Sequence, residues 1–129
     1  MELKLHSDKK YEMIDITAQV SEMVRSANVA EGVCCVFVPH ATAALIINEN
    51  DDMQIAQDLL DALDKMIPEG IWRHDKFDNN AAAHLKASIL GPSESIPVQN
   101  GRLTLGTWQS VLFVELDGPR DRKVIVTVK

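Results

Sequence analysis

The spacing of apolar residues switches between two periods along this chain, and that switching limits the fold more than any other feature. From Asp51 to Gly91 the apolar side chains recur at helical intervals, whereas most of the flanking sequence alternates or runs together as strands do. "ELKLHS" and "YEMIDI" alternate and predict two short strands joined near Ser7 to Lys10. Thr17 then offers an N-cap for a helix with a Val20, Met23, Val24, Ala27 stripe, ended by Glu31-Gly32. "VCCVFV" is nearly all apolar and predicts a strand buried on both faces, with "ALIIN" as the next. In the middle, Ala56, Leu59, Leu60, Leu63 and Ile67 share one helical face up to Pro68. "DNNAAAHLKASILG" reads as a helix capped by Asn79 or Asn80 and ended by Gly91. The remainder is β, with "SIPVQ", "RLTLG", "WQSVLFVEL" and "KVIVTV" separated by Asn100-Gly101, Gly106 and Asp117-Gly118-Pro119. About eight strands and about three helices, with helices gathered in the middle, predict an α+β layered sandwich.

The 129 residues suffice for one core, so residues 1–129 are read as a single domain. The net charge of −6 argues against nucleic acid, whose backbone demands clustered cations. The longest apolar stretch, Val33 to Pro39, is too short to cross a bilayer, and the N-terminus lacks an apolar signal region. A cytoplasmic protein without membrane contact is expected. Cys34 and Cys35 are adjacent in a strand and point to opposite faces, as small core residues of a reducing compartment would.

Four histidines carry the first hint of chemistry. His6, His40, His74 and His84 are too widely spaced for a local metal motif. His6 reads as a surface residue of the first strand. The others have polar company: Thr42 near His40, Asp75 and Asp78 near His74, Asn80 near His84. In "TWQSVLFVELDGPRDR", alternation puts Trp108, Ser110, Leu112, Val114 and Leu116 on a face fit for a core. Gln109, Val111, Phe113, Glu115 and Asp117 share the other, which turns acidic at its end. That acidic end is either the wet end of an amphipathic strand or a pair of carboxylates projecting into a pocket to hold a cation or exchange a proton. Arg120, with Arg122 and Lys123 beside it, suffices for one phosphate. Asn48 and Glu49 point to opposite faces of their strand, and Asn50 is read as the cap of the next helix. Asp58, Asp61 and Asp64 read as a solvated face, with Asp61 paired to Lys65.

"PHATAALIINEN", "HDKFDNNAAAHLKASILG", "LGTWQSVLFVELDGPR" and the closing "RKVIVTV" together resemble the secondary thiamine-phosphate synthase enzyme family over essentially the whole chain. The resemblance implies a compact α+β homotrimer with polar pockets near its subunit contacts. It implies a reaction joining a pyrimidine pyrophosphate to a thiazole phosphate. His40, Thr42, Glu49, His74, His84 and Glu115 would be catalytic, with Asn48, Asn80, Gln109 and Arg120 on the substrate, joined by Asp117 from the strand pattern. Asp58 also falls on a recurrent polar position. His40, His74 and His84 would hold a divalent metal, Mg²⁺ or Zn²⁺, and the partner would be a small phosphorylated substrate. Ala41 stands where such proteins usually have Ser or Thr, which leaves Thr42 as the nearby hydroxyl. A metal-assisted phosphohydrolase or a ligand-binding trimer without turnover are the alternatives.

Overall fold

Two antiparallel sheets enclose most of the apolar side chains between them. The structure, a computed structural model, describes residues 1–129. In chain order the elements are β1 (Glu2–His6), β2 (Glu12–Asp15), α1 (Thr17–Ser26), β3 (Gly32–Phe37), β4 (Ala43–Asn48) and α2 (Met53–Met66). They continue with α3 (Asp75–Asp78), α4 (Ala81–Leu90), β5 (Ser93–Gln99), β6 (Arg102–Leu103), β7 (Ser110–Glu115) and β8 (Asp121–Val128). One sheet has the order β1-β8-β3-β5-β6 and the other β2-β7-β4. The eight strands and three substantial helices, in one compact α+β domain, agree with the sequence expectation; α3 is an added single turn. No helix is long and apolar enough to cross a membrane.

The core between the sheets follows from strand alternation. Cys34 and Val36 of β3, Ile96 and Val98 of β5, and Val124 and Val126 of β8 face Leu45, Val111 and Phe113 of the smaller sheet. Ile16, Val20 and Val24, the last two on α1, join the same cluster. Phe113 is wholly buried, a burial worth about 2 kcal/mol. β7 is the middle strand of the smaller sheet and is covered twice. Its second face packs Val114, and Leu116 just beyond, with Ala44 against Ala83 and Ala87 of α4. Alanines there let the helix axis come close to the sheet.

Several local readings are corrected. β3 is buried on one face: Val33 and Phe37 are 49% and 40% exposed, because no helix covers the outer face of the larger sheet. Thr17 does not cap α1. Asp15 accepts its N–H at 2.9 Å and its hydroxyl at 2.6 Å, while the Thr17 hydroxyl oxygen accepts the Val111 N–H. Asp52, not Asn50, caps α2, accepting the N–H groups of Gln54 and Ile55; Asn50 instead donates to Asp15. Asn79 ends α3 in the left-handed conformation, and the first N–H of α4, from Ala81, goes to Asp75. Trp108 lies in the turn before β7 and is 62% exposed. Asp61 bonds Gln57 and not Lys65, and Asp64 reaches Lys86 of α4 at 2.6 Å.

Candidate functional site

The polar candidates gather at the end of the sheets where β7 turns into β8, in an inner and an outer group. The inner group is closed. Glu115 is fully buried, and its carboxylate accepts from Arg122 Nε at 2.9 Å and Nη2 at 2.5 Å. It also accepts the Ser7 hydroxyl at 2.7 Å and the N–H groups of Leu116 and Asp117 at 3.0 and 3.1 Å. Arg122 donates further to the Thr42 hydroxyl and carbonyl at 2.9 and 3.2 Å. Burial pushes the Glu115 carboxyl pKa up, but the bonds from Arg122, Ser7 and Asp117 outweigh it and hold it below the usual range. A carboxylate so engaged locks the two sheets together. It does not project into a pocket.

His40 lies beside this pair. Its Nε2 accepts the Lys123 N–H at 3.0 Å, so the ring proton belongs on Nδ1. Burial, reinforced by the Arg122 charge, keeps its pKa below the ordinary value and the ring neutral. Arg122 is therefore not part of a phosphate cluster with Arg120 and Lys123. The pattern around it could have told: Arg122 shares the inward face of β8 with Val124 and Val126.

The outer group is open. His74 and His84 come together at the corner between α3 and α4, with ring centroids 4.8 Å apart and planes at 84°. The corner is built by Asp75, whose two oxygens accept the Trp72 and Ala81 N–H groups. Asn80 donates to Asp117 at 2.9 Å, and Asp117 accepts from Arg120 Nη2 at 3.1 Å while its carbonyl takes Arg120 Nε. Two buried polar atoms in this group make no hydrogen bond, Asn80 Oδ1 and His74 Nε2, the latter facing Asp78 Oδ2 at 3.8 Å. A cleft of about 490 Å³ opens beside the imidazoles, lined by Ile71, Trp72, Arg73 and Leu85 among others. Sequence reading placed His74, His84, Asn80, Asp117 and Arg120 among the candidates and missed Asp75 as the organiser of the corner.

The remaining candidates stand apart. Asn48, Glu49 and Asp58 line a small cleft of about 190 Å³ under α2, floored by Met13, Ile46 and Leu112. Gln109 closes its own turn by accepting the Gly106 N–H at 2.8 Å. His6 is a surface residue, bonded to Asp121. Within one chain His40, His74 and His84 do not converge: no three His, Cys, Asp or Glu side chains meet at a point. His74 and His84 meet each other, while His40 Nε2 is spent on β8.

Fold and site define a two-sheet α+β domain with a cleft lined by His74, His84 and Arg73 at one end of its sandwich, and the Asn80–Asp117–Arg120 chain of bonds close by. The chain belongs to the YjbQ-like UPF0047 family, which it matches over residues 1–129. It is 49% identical to a UPF0047 protein of Archaeoglobus fulgidus over 98% of both chains. It is 41% identical to YugU of Bacillus subtilis, over 93% of this chain and 91% of that one. Its fold superimposes with a TM-score of 0.96 on an uncharacterised yjbq/upf0047 family protein of Clostridium acetobutylicum. Those chains are 44% identical, and the match covers 100% of this chain and 99% of the other. A YbjQ-like protein of unknown function from Sulfolobus solfataricus, 37% identical, also gives 0.96, over 99% and 94%.

These relatives correct the expectation drawn from the resemblance. They carry the description of a family of unknown function, not that of a thiamine-phosphate synthase or of any transferase. The physical reason lies in the site. Glu115 and His40, expected beside a leaving pyrophosphate, are held in an internal lock by Arg122 and by the Lys123 N–H.

Proposed function

We propose that the outer pocket binds a small phosphorylated molecule that also presents a hydroxyl, on a surface where copies of this chain associate, as a homotrimer. One observation carries the ligand: Asn80 Oδ1 is buried without a hydrogen bond, although such atoms nearly always find a partner, and His74 Nε2 beside it has only the Asp78 carboxylate, at 3.8 Å. With the Asn80 amide nitrogen on Asp117, its oxygen can only accept, and a hydroxyl donates. Arg120, half exposed, uses part of its fork on Asp117 and has the rest free for phosphate oxygens. Arg73 adds a second cation at the cleft. Association is supported by Ile71, Phe77, Leu85 and Ile89, large apolar side chains exposed around the same corner. The free thiols of Cys34 and Cys35 support a cytoplasmic setting.

Glycerol 3-phosphate serves as a probe with both groups, set against glycerol and inorganic phosphate. In NMR titrations it should move the ring signals of His74 and His84 and the side-chain amide of Asn80, and neither control should match it. Arg120→Ala should weaken binding by about tenfold, the value of one charge-assisted contact. Rings and amide that stay still at millimolar probe would overturn the assignment.

A further inference from the structure

A hollow larger than the histidine cleft, about 720 Å³, opens elsewhere, between the C-terminal half of α1 and the β5–β6 hairpin. Its apolar lining is Val24, Val29, Ala30, Leu103 and Leu105. Its polar lining is Ser21, Arg25, Asn28, Asn100 and Arg102, with Gly101 at the hairpin tip. No carboxylate lines it, in a chain whose net charge is −6. The charged groups on the wall itself are the guanidinium groups of Arg25 and Arg102.

Two acids lie beside the groove, each with a bond of its own. Glu22 pairs with Arg25 along α1, and Glu31 accepts the Asn100 N–H at 3.1 Å. Arg102 takes part in no ion pair. The hairpin that carries it is fixed in place: Asn100 and Gly101 both have positive φ, as a tight two-residue hairpin turn requires, and the Gly101 N–H is bonded to Ala30 across the hollow's rim. Thus an exposed guanidinium stands on a rigid turn above a partly apolar floor. The volume falls in the range of small-ligand pockets.

We propose that this groove is a binding site for a small amphipathic anion, an acyl or aryl body carrying one carboxylate or phosphate. The apolar body would lie on Val24, Val29, Leu103 and Leu105, and the oxyanion would be taken by Arg102, assisted by Arg25 and the Asn28 and Asn100 amides. The site is separate from the histidine corner and does not depend on the reading given to that corner.

Octanoate, kept below its micelle concentration, is the probe, with octan-1-ol and octylamine as neutral and cationic controls. In amide NMR of the intact chain, octanoate should move Val29, Gly101 and Leu103 saturably, and both controls should bind at least about tenfold more weakly. Arg102→Gln should cost about the same factor without changing the thermal midpoint, since the side chain makes no ion pair; Arg25→Gln provides a second reading. Equal binding of octan-1-ol, shifts centred on His74 and His84, unchanged affinity in both variants, or no shifts would each overturn the proposal.

Discussion

Glu115 and Arg122 sit in different sheets and meet in the layer between them, so their pair ties the sandwich together at its closed end. Removing one partner leaves the other charged, buried and unpaired. Arg122→Ala should therefore cost about 3–5 kcal/mol in denaturant unfolding, whereas the double replacement Glu115→Gln, Arg122→Met should cost less than Arg122→Ala alone. The pH dependence has a fixed sign. The folded carboxyl pKa of Glu115 lies below its ordinary 4.5, so its contribution is complete above that value and is lost as pH falls through the folded pKa. His40 acts in the same direction. Its folded pKa lies below 6.5, so the unfolded chain takes up a proton first and stability declines as pH drops below 6.5. Glu115→Gln should flatten the unfolding midpoint against pH below about 4.5, leaving the His40 slope above it. An unchanged acid limb would show that other carboxylates carry it.

α2 is held to the rest mainly from its C-terminal half. Leu63 and Ile67 are buried, and Asp64 reaches the amine of Lys86, a lysine only 1% exposed that also lies over the Tyr11 ring at 4.5 Å. Asp64→Ala strips a buried cation of its carboxylate. It should lower stability by about 1–3 kcal/mol, while Asp61→Ala, at a position bonded only within α2, stays within about 0.5. Equal effects at the two positions would mean that Lys86 is satisfied by Tyr11 alone. The contrast also marks how far sequence reading reaches. Helical spacing gave the apolar face of α2 and the alanine run gave α4, because each signal is local. Asp64 looked like its solvated neighbours Asp58 and Asp61, since nothing local reveals a lysine on another helix. His74 and His84 were legible only as polar-flanked residues. Their meeting depends on the left-handed Asn79 and on Asp75 reaching across to Ala81, which no spacing rule encodes. β3 was expected to be covered twice for a similar reason: an apolar run shows that a strand can be buried, not how many layers will lie on it.

The apolar surface of the whole molecule is unevenly spread. Phe77 is 80% exposed and touches His74 through its ring, while Leu85 and Ile89 occupy one stripe of α4, and Ile71 and Leu85 line the same cleft. Scattered apolar side chains are ordinary on a surface, whereas a connected set around the corner that holds Asn80 Oδ1 and His74 Nε2 is what the proposed association of copies would cover. Such contact would also dry the pocket and strengthen its hydrogen bonds. Light scattering on the intact chain should then give three times the chain mass of 14.3 kDa. Phe77→Asp with Ile89→Asp should give single chains of 14.3 kDa with an unchanged far-ultraviolet spectrum, because neither side chain contributes to either core cluster. Binding at the corner should weaken in the same variant, since a drying partner is gone, while octanoate in the α1 groove should bind as before. A wild-type mass of one chain would remove the association and leave His74 and Asn80 to be satisfied by ligand or water alone.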